Sequence, residues 1–226
     1  MTLTALAACA LLTPAAVAKP PPSQPPASSS LLILMMGEPD FDFDLVESIG
    51  AADVITPSTV GLDGMRMLAC EELVAGMEHW TAFDTIACTD GYSMEELKRH
   101  LAASDSDGVP QAIAEADYLL LIHDFEVRLR MFEVGTPPDQ SIHERLRVAC
   151  RHLFWDKGAH AAVDDGVHAL SRYGHPPNTI QRWLGTAWVR LDWRDAVDPL
   201  ARSITRGSPF RDRQKVEVDP RYRGLD

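Results

Sequence analysis

Asp40, Asp42 and Asp44 alternate with Phe41 and Phe43 in the run Glu38-Pro39-Asp40-Phe41-Asp42-Phe43-Asp44. Extended backbone sends successive side chains to opposite faces, so the three carboxylates share one face and the two rings the other. Carboxylates held that close repel, and the group either raises one pKa or recruits a cation. A calcium loop of the helix-loop-helix type is excluded. Counted from Asp40, its obligatory Gly position is Leu45 and its obligatory Glu position is Ala51. A second stripe, His152, Asp156, His160, Asp164 and His168, recurs every four residues. On one continuous helix it would be a drifting row of ligands suited to Zn²⁺ or Ni²⁺, with His152, His160 and His168 as the metal candidates. Gly158 interrupts that row. His160 then falls on an apolar face with Val163 and Val167, and Asp164, His168 and Arg172 fall on a solvated one, where spacing of four serves ion pairing. His143-Glu144 opens like a zinc-protease helix, but Arg147 stands where the second histidine ligand is required. Trp183, Trp188 and Trp193, with Tyr173, could form an aromatic patch for carbohydrate or peptide; at helical spacing they read equally as core.

The string Asp42-Phe43-Asp44-Leu45-Val46 resembles the Asp-x-Asp-x-Thr/Val motif of haloacid-dehalogenase-like phosphatases, which stands just after the first strand of that fold. The resemblance implies Asp42 as nucleophile, Asp44 as general acid and base, and Mg²⁺ held by carboxylates. Thr89 after a second strand, then Lys157, then the pair Asp164-Asp165 follow in the family's order. The sequence departs from the pattern in three ways. Gly37-Glu38-Pro39 separates the strand from the aspartates, the late acidic pair sits in a helical pattern, and Lys157 lies close to it.

The elements that would position these groups follow from periodicity and turn chemistry. Leu31 to Met36 is a continuous apolar run, the mark of a buried strand. Met65, Ala69, Leu73 and Met77 repeat every four residues and predict an amphipathic helix. Phe83 to Cys88 predicts a strand, and Ser93-Met94-Glu95-Glu96 a capping box that starts a helix with Leu97 inward. Tyr118 to Ile122 is a third apolar run, and Glu126 to Val134 alternates like a half-buried strand. Beyond Pro138 the pattern reads as helix. Ser141-Ile142-His143-Glu144 is a second capping box, with Ile142, Leu146, Ala149, Cys150 and Leu153 on one face. Val163, Val167 and Leu170 define a further helix, and Asn178 to Leu191 another. The fold class expected is α/β, with strands and helices alternating to about residue 134, followed by a helical C-terminal part.

Charge narrows the function. The chain carries a formal −12, and between Leu31 and Val127 twenty acidic side chains face only Arg66, Lys98 and Arg99. Such a surface repels phosphate backbones, so nucleic acid is not an expected partner. Residues 1–18 read as a signal peptide ending in Ala16-Val17-Ala18, with a lipid anchor on Cys9 in Leu6-Ala7-Ala8-Cys9 as the alternative. Residues 19–30, rich in Pro and Ser, form a tether; residues 31–201 form one domain, with no span of the membrane; residues 202–226 are expected to be a basic, poorly ordered tail. Outside the cytoplasm Cys70 and Cys88 are the pair expected by proximity, with three buried thiols as the other possibility. The residues name no cofactor. The function expected is that of a periplasmic or secreted binding module with an envelope protein or a small molecule as partner. A metal-dependent, phosphatase-like hydrolase using Asp42, Asp44, Asp164 and Asp165 is the alternative.

Overall fold

The computed structural model describes residues 29–44, 56–102, 110–135, 141–174 and 191–212. Their secondary structure is a mixed six-stranded sheet with helices on both faces. The strands are β1 (Ser30–Met36), β2 (Asp40–Asp44), β3 (Thr85–Tyr92), β4 (Tyr118–Val134), β5 (Ser141–Asp156) and β6 (Ala161–Gly174). The helices are α1 (Pro57–Trp80), α2 (Met94–Ala102), α3 (Gln111–Glu115) and α4 (Val197–Thr205). The sheet runs β3-β1-β4-β5-β6, and β2 pairs with β4. β1 and β2 lie one after the other on the same edge of β4, both parallel to it, at Leu31↔Tyr118 and Asp42↔Arg128 respectively. β4, β5 and β6 form two long antiparallel hairpins.

Burial explains the continuous apolar run of β1. Leu31, Ile33 and Met35 join one core with Met65, Leu73 and Met77 of α1. Leu32, Leu34 and Met36 join a second with Leu97 of α2 and Ile113 of α3. A strand covered on both faces has no polar side to alternate with. The first half of β4 is sandwiched in the same way. A bulge between His123 and Glu126, with Asp124 at φ 50°, then resets the phase. Beyond it Val127, Leu129 and Met131 stay in the first core, while Arg128 and Phe132 are exposed.

α1 and α4 cross closely. A methyl on Gly76 would stand 2.7 Å from the Cβ of Ala201. The Trp80 indole N–H donates to Asp198 at 2.9 Å, and the Arg202 guanidinium lies 5.2 Å above the Trp80 ring. The expected boundary at Ala201 therefore falls too early. Ile204 and Phe210 are buried core residues, and the Asp212 amide donates to the Trp80 carbonyl at 3.0 Å. Residues 213–226 lie outside the described part.

The helices expected over 142–153 and 163–170 are strands, and the helical C-terminal part reduces among the described residues to α4 and a 3₁₀ turn, Arg194–Ala196. In β5 Glu144, Leu146, Val148, Cys150, His152 and Phe154 are buried in alternation, with Ala149 also buried from the other face, and this pattern coexists with the helical spacing of Ile142, Leu146, Ala149 and Leu153. Pairing on both edges, to β4 and to β6, selects the first pattern. The box residues find other partners. The Ser141 hydroxyl reaches the Val134 carbonyl at 3.4 Å, and the fully buried Glu144 accepts the Leu191 amide at 2.8 Å. In β6 Val167 is 72% exposed, on the face opposite Leu170. The expected helix over 178–191 falls on residues outside the described part up to position 190.

Candidate functional site

β2 does what its alternation requires. Phe41 and Phe43 pack on the first core, with Phe41 edge-on to Phe125 and Trp193 at 6.2 and 5.9 Å. Asp40, Asp42 and Asp44 share the opposite face, where Arg130 takes both Asp42 and Asp44, the latter at 3.2 Å, and Arg128 takes Asp40 at 3.6 Å. Their neutralising cations are thus guanidiniums of β4. Asp42 and Asp44 each turn one carboxylate oxygen, Oδ2, toward Arg130.

Asp164 and Asp165 lie elsewhere. They are on β6, opposite Phe154 and Leu153 of β5, while Asp42 is level with Arg128 and Arg147. β4 and β5 separate β2 from β6, which is roughly 14 Å across the sheet, and the positions differ by roughly 20 Å along the strands. Asp164 shares a sheet face with the buried Phe154, whereas Asp42 is on the face opposite the core. Lys157 sits in the β5–β6 turn and donates its ammonium hydrogens to the carbonyls of Ile113, Ala114 and Ala116, tying off the end of α3. The four candidate catalytic aspartates do not converge.

Of the histidine candidates, His160 is in the β5–β6 turn, at φ 50° and exposed, because the row runs through a hairpin and not a helix. His152 and His168 do meet. Nε2 of His168 lies 3.0 Å from Nδ1 of His152, Nδ1 of His168 lies 2.8 Å from the Ser203 hydroxyl of α4, and Nε2 of His152 lies 3.5 Å from an Asp164 oxygen. A carboxylate only accepts, so with neutral rings the hydrogens are ordered: Ser203 donates to His168, His168 to His152, and His152 points its N–H at Asp164. Burial holds both imidazoles below their ordinary range; Asp164 opposes this at each, and His152 adds to it at His168. Gly166 is the opposing residue on β6, and a Cβ there would stand 3.1 Å from Cε1 of His152 and 3.2 Å from Nε2 of His168. Among the described residues no group of three or more His, Cys, Asp or Glu side chains could hold a metal ion. Of the aromatic candidates, Trp193 is core and Tyr173 is 55% exposed; Trp183 and Trp188 lie outside the described residues.

A further concentration of charge on the sheet comes from residues that the sequence reading passed over. Arg128 stands directly opposite Arg147, and Arg130 opposite Arg145. The four guanidiniums line a cleft of about 200 Å³. The strings Arg128-Leu129-Arg130 and Arg145-Leu146-Arg147 carry the signal, since each alternates a buried leucine with outward arginines. The second was hidden by its reading as helix. A Glu126 oxygen lies 2.9 Å from Nε of Arg128 and 3.7 Å from Nε of Arg147, and the Arg145 guanidinium sits 5.6 Å above the Tyr173 ring.

No described helix is long and apolar enough to cross a membrane. No family model and no curated protein matches the chain. Solved structures that are faintly similar include the following three. A neuraminyllactose-binding hemagglutinin homolog from Helicobacter pylori is 12% identical, with 89% of each chain covered and a TM-score of 0.37. A hypothetical protein from Chlamydia trachomatis is 10% identical, with 80% of this chain and 95% of that one covered and a TM-score of 0.35. A minor lipoprotein from Acinetobacter baumannii is 13% identical, with 78% and 89% covered and a TM-score of 0.27. Likeness at this level carries no function to the present chain.

Proposed function

We propose that the chain is an exported binding module, periplasmic or secreted, which recognises its partner on the half of its sheet that no described helix covers. The observation that carries this reading is the change of cover along β4. Before the bulge at His123–Glu126, α2 and α3 pack on the sheet through Leu97 and Ile113. Beyond it the same face presents the four arginines, with Phe132 and Tyr173 at 42% and 55% exposure. An exposed face rich in arginine and aromatic rings has the composition of a recognition surface. The Cys70–Cys88 disulfide, with Cα atoms 5.5 Å apart, supports an oxidising compartment.

Expression with the natural N-terminus, followed by fractionation and intact-mass measurement, tests the reading. The expected product lies outside the cytoplasm, begins at Lys19 and contains the Cys70–Cys88 bridge. A full-length cytoplasmic product with both thiols reduced would overturn it. A product lipidated on Cys9 would retain the binding role and replace the free form by an anchored one.

A further inference from the structure

We infer that the cleft formed by Arg128, Arg130, Arg145 and Arg147 binds a phosphate-type oxyanion carried on a compact ligand; this rests on the reading of the uncovered sheet face as the binding face. Like charges placed directly across a sheet weaken it, and two such pairs are stacked here, Arg128 with Arg147 and Arg130 with Arg145. The protein's own carboxylates relieve them unevenly. Arg130 has Asp42 and Asp44, and Arg128 has Asp40 and Glu126, all on the β2 and β4 side. On the β5 side Arg147 reaches, among the described carboxylates, only Glu126, shared and at 3.7 Å. Arg145 stacks on Tyr173 and has no carboxylate among its described partners.

Stacking holds a guanidinium in place without using its N–H donors, which leaves the fork available to a ligand. Arg145 and Arg147 are two residues apart on one strand and so present their forks side by side on one face. A tetrahedral oxyanion offers acceptor oxygens in several directions and can take hydrogen bonds from more than one fork at once; a planar carboxylate fills one. The same surroundings limit the ligand's size. Asp40, Asp42 and Asp44 flank the cleft along β2, and Asp124 lies beyond the bulge near Arg151. An extended polyanion would run into these charges, whereas a single phosphate group need not. The oxyanion is therefore that of a phosphorylated small molecule or of a phospholipid headgroup.

Calorimetric titration of the processed protein with inorganic phosphate and with pyrophosphate, beside flotation with phosphatidylglycerol and phosphatidylcholine vesicles, separates the two sources. The expected result is saturable binding in the soluble arm or selective flotation with phosphatidylglycerol. Either should weaken roughly tenfold or more in a double variant, Arg145→Ala with Arg147→Ala. Arg151→Ala, on the same strand outside the cleft, should leave binding unchanged. The double lysine variant, which keeps charge but loses both forks, should fall between. Binding in neither arm, or binding indifferent to the double alanine variant with its melting curve intact, overturns the site. The ³¹P spectrum of the pyrophosphate mixture distinguishes the underlying reading. Pyrophosphate bound and then cleaved would retain the site and overturn the non-catalytic module.

Discussion

Nε2 of His168 and Nδ1 of His152 lie 3.0 Å apart, in a chain that starts at Ser203 on α4 and ends at Asp164 on β6. The arrangement cannot hold two charged rings, because the Nδ1 hydrogen of His152 would then face the Nε2 hydrogen of His168. Both histidines are held below their ordinary range, chiefly by burial, while Asp164 pulls the other way. The unfolded chain then binds more protons than the folded one as pH drops below about 6.5, so unfolding is favoured by acid there. Stability contributed by the pair should be fully present above that pH and be lost as pH falls through the lowered folded values. This precedes the range in which Glu96 and Asp117, both lowered by hydrogen bonds from Ser93 and Ser30, begin to lose theirs. Urea unfolding at pH 7.5 and 5.5 should show a clear loss in the natural chain and a smaller one in His168→Gln; equal slopes would refute this account.

Gly166 tests the same pair sterically. Its missing side chain leaves room for both imidazoles, and a Cβ would meet them at 3.1 and 3.2 Å. Gly166→Val should cost about 1–3 kcal/mol in denaturant unfolding, as overpacking does, and shift the C2 proton resonances of His152 and His168. Gly158→Val, in the exposed turn, is the control and should move neither.

The sequence made the sandwiched strands visible and hid the long hairpins. Leu31 to Met36 and Tyr118 to Ile122 are apolar on both faces, and their shortness and flanking turn residues favour a buried strand. The Ser93–Glu96 box formed as read: the Ser93 amide donates to Glu96 at 2.9 Å and the Glu96 amide to the Ser93 hydroxyl at 3.2 Å. The alternation in Phe41 and Phe43 also placed the aspartates on one face. From Ser141 onward a helical and a strand pattern fit the same residues, and the choice depends on partners far away in sequence, such as Val127 opposite Val148. That error concealed the site as well, because Arg145 and Arg147 adjoin Arg130 and Arg128 only when both segments are strands in register.

The three cysteines beyond the tether should respond differently. Cys70 and Cys88 are bonded across 18 residues, and that closure contributes about 3 kcal/mol in the chain-entropy account. Cys150 is buried, and desolvation pushes its thiol up to about 12. In protein beginning at Lys19, native alkylation should label no cysteine, alkylation in denaturant should label Cys150 alone, and reductant should lower the melting temperature. Three labelled cysteines without reductant would refute the bridge.

Phe210 decides where the domain ends. It lies within a stretch whose composition promises a solvated basic tail, yet its ring sits 4.9 Å from Tyr118, 5.0 Å from Phe154 and 5.2 Å from Phe83. Those partners come from β4, β5 and the approach to β3, so one ring closes the core where three parts of the chain meet. The backbone around it is tied as well, with the Ala82 amide donating to the Phe210 carbonyl at 3.3 Å and the Asp212 amide to Trp80. Surface ion pairs of a loose tail would contribute about 0–1 kcal/mol each and vanish in salt. Removing a buried phenyl ring costs about 3–5 kcal/mol whatever the ionic strength. Phe210→Ala should therefore shift the denaturant midpoint strongly at both 0.05 and 0.5 M salt, and truncation after Gly207 should do at least as much. A truncated chain that melts with the full-length one would show that the core closes without Phe210.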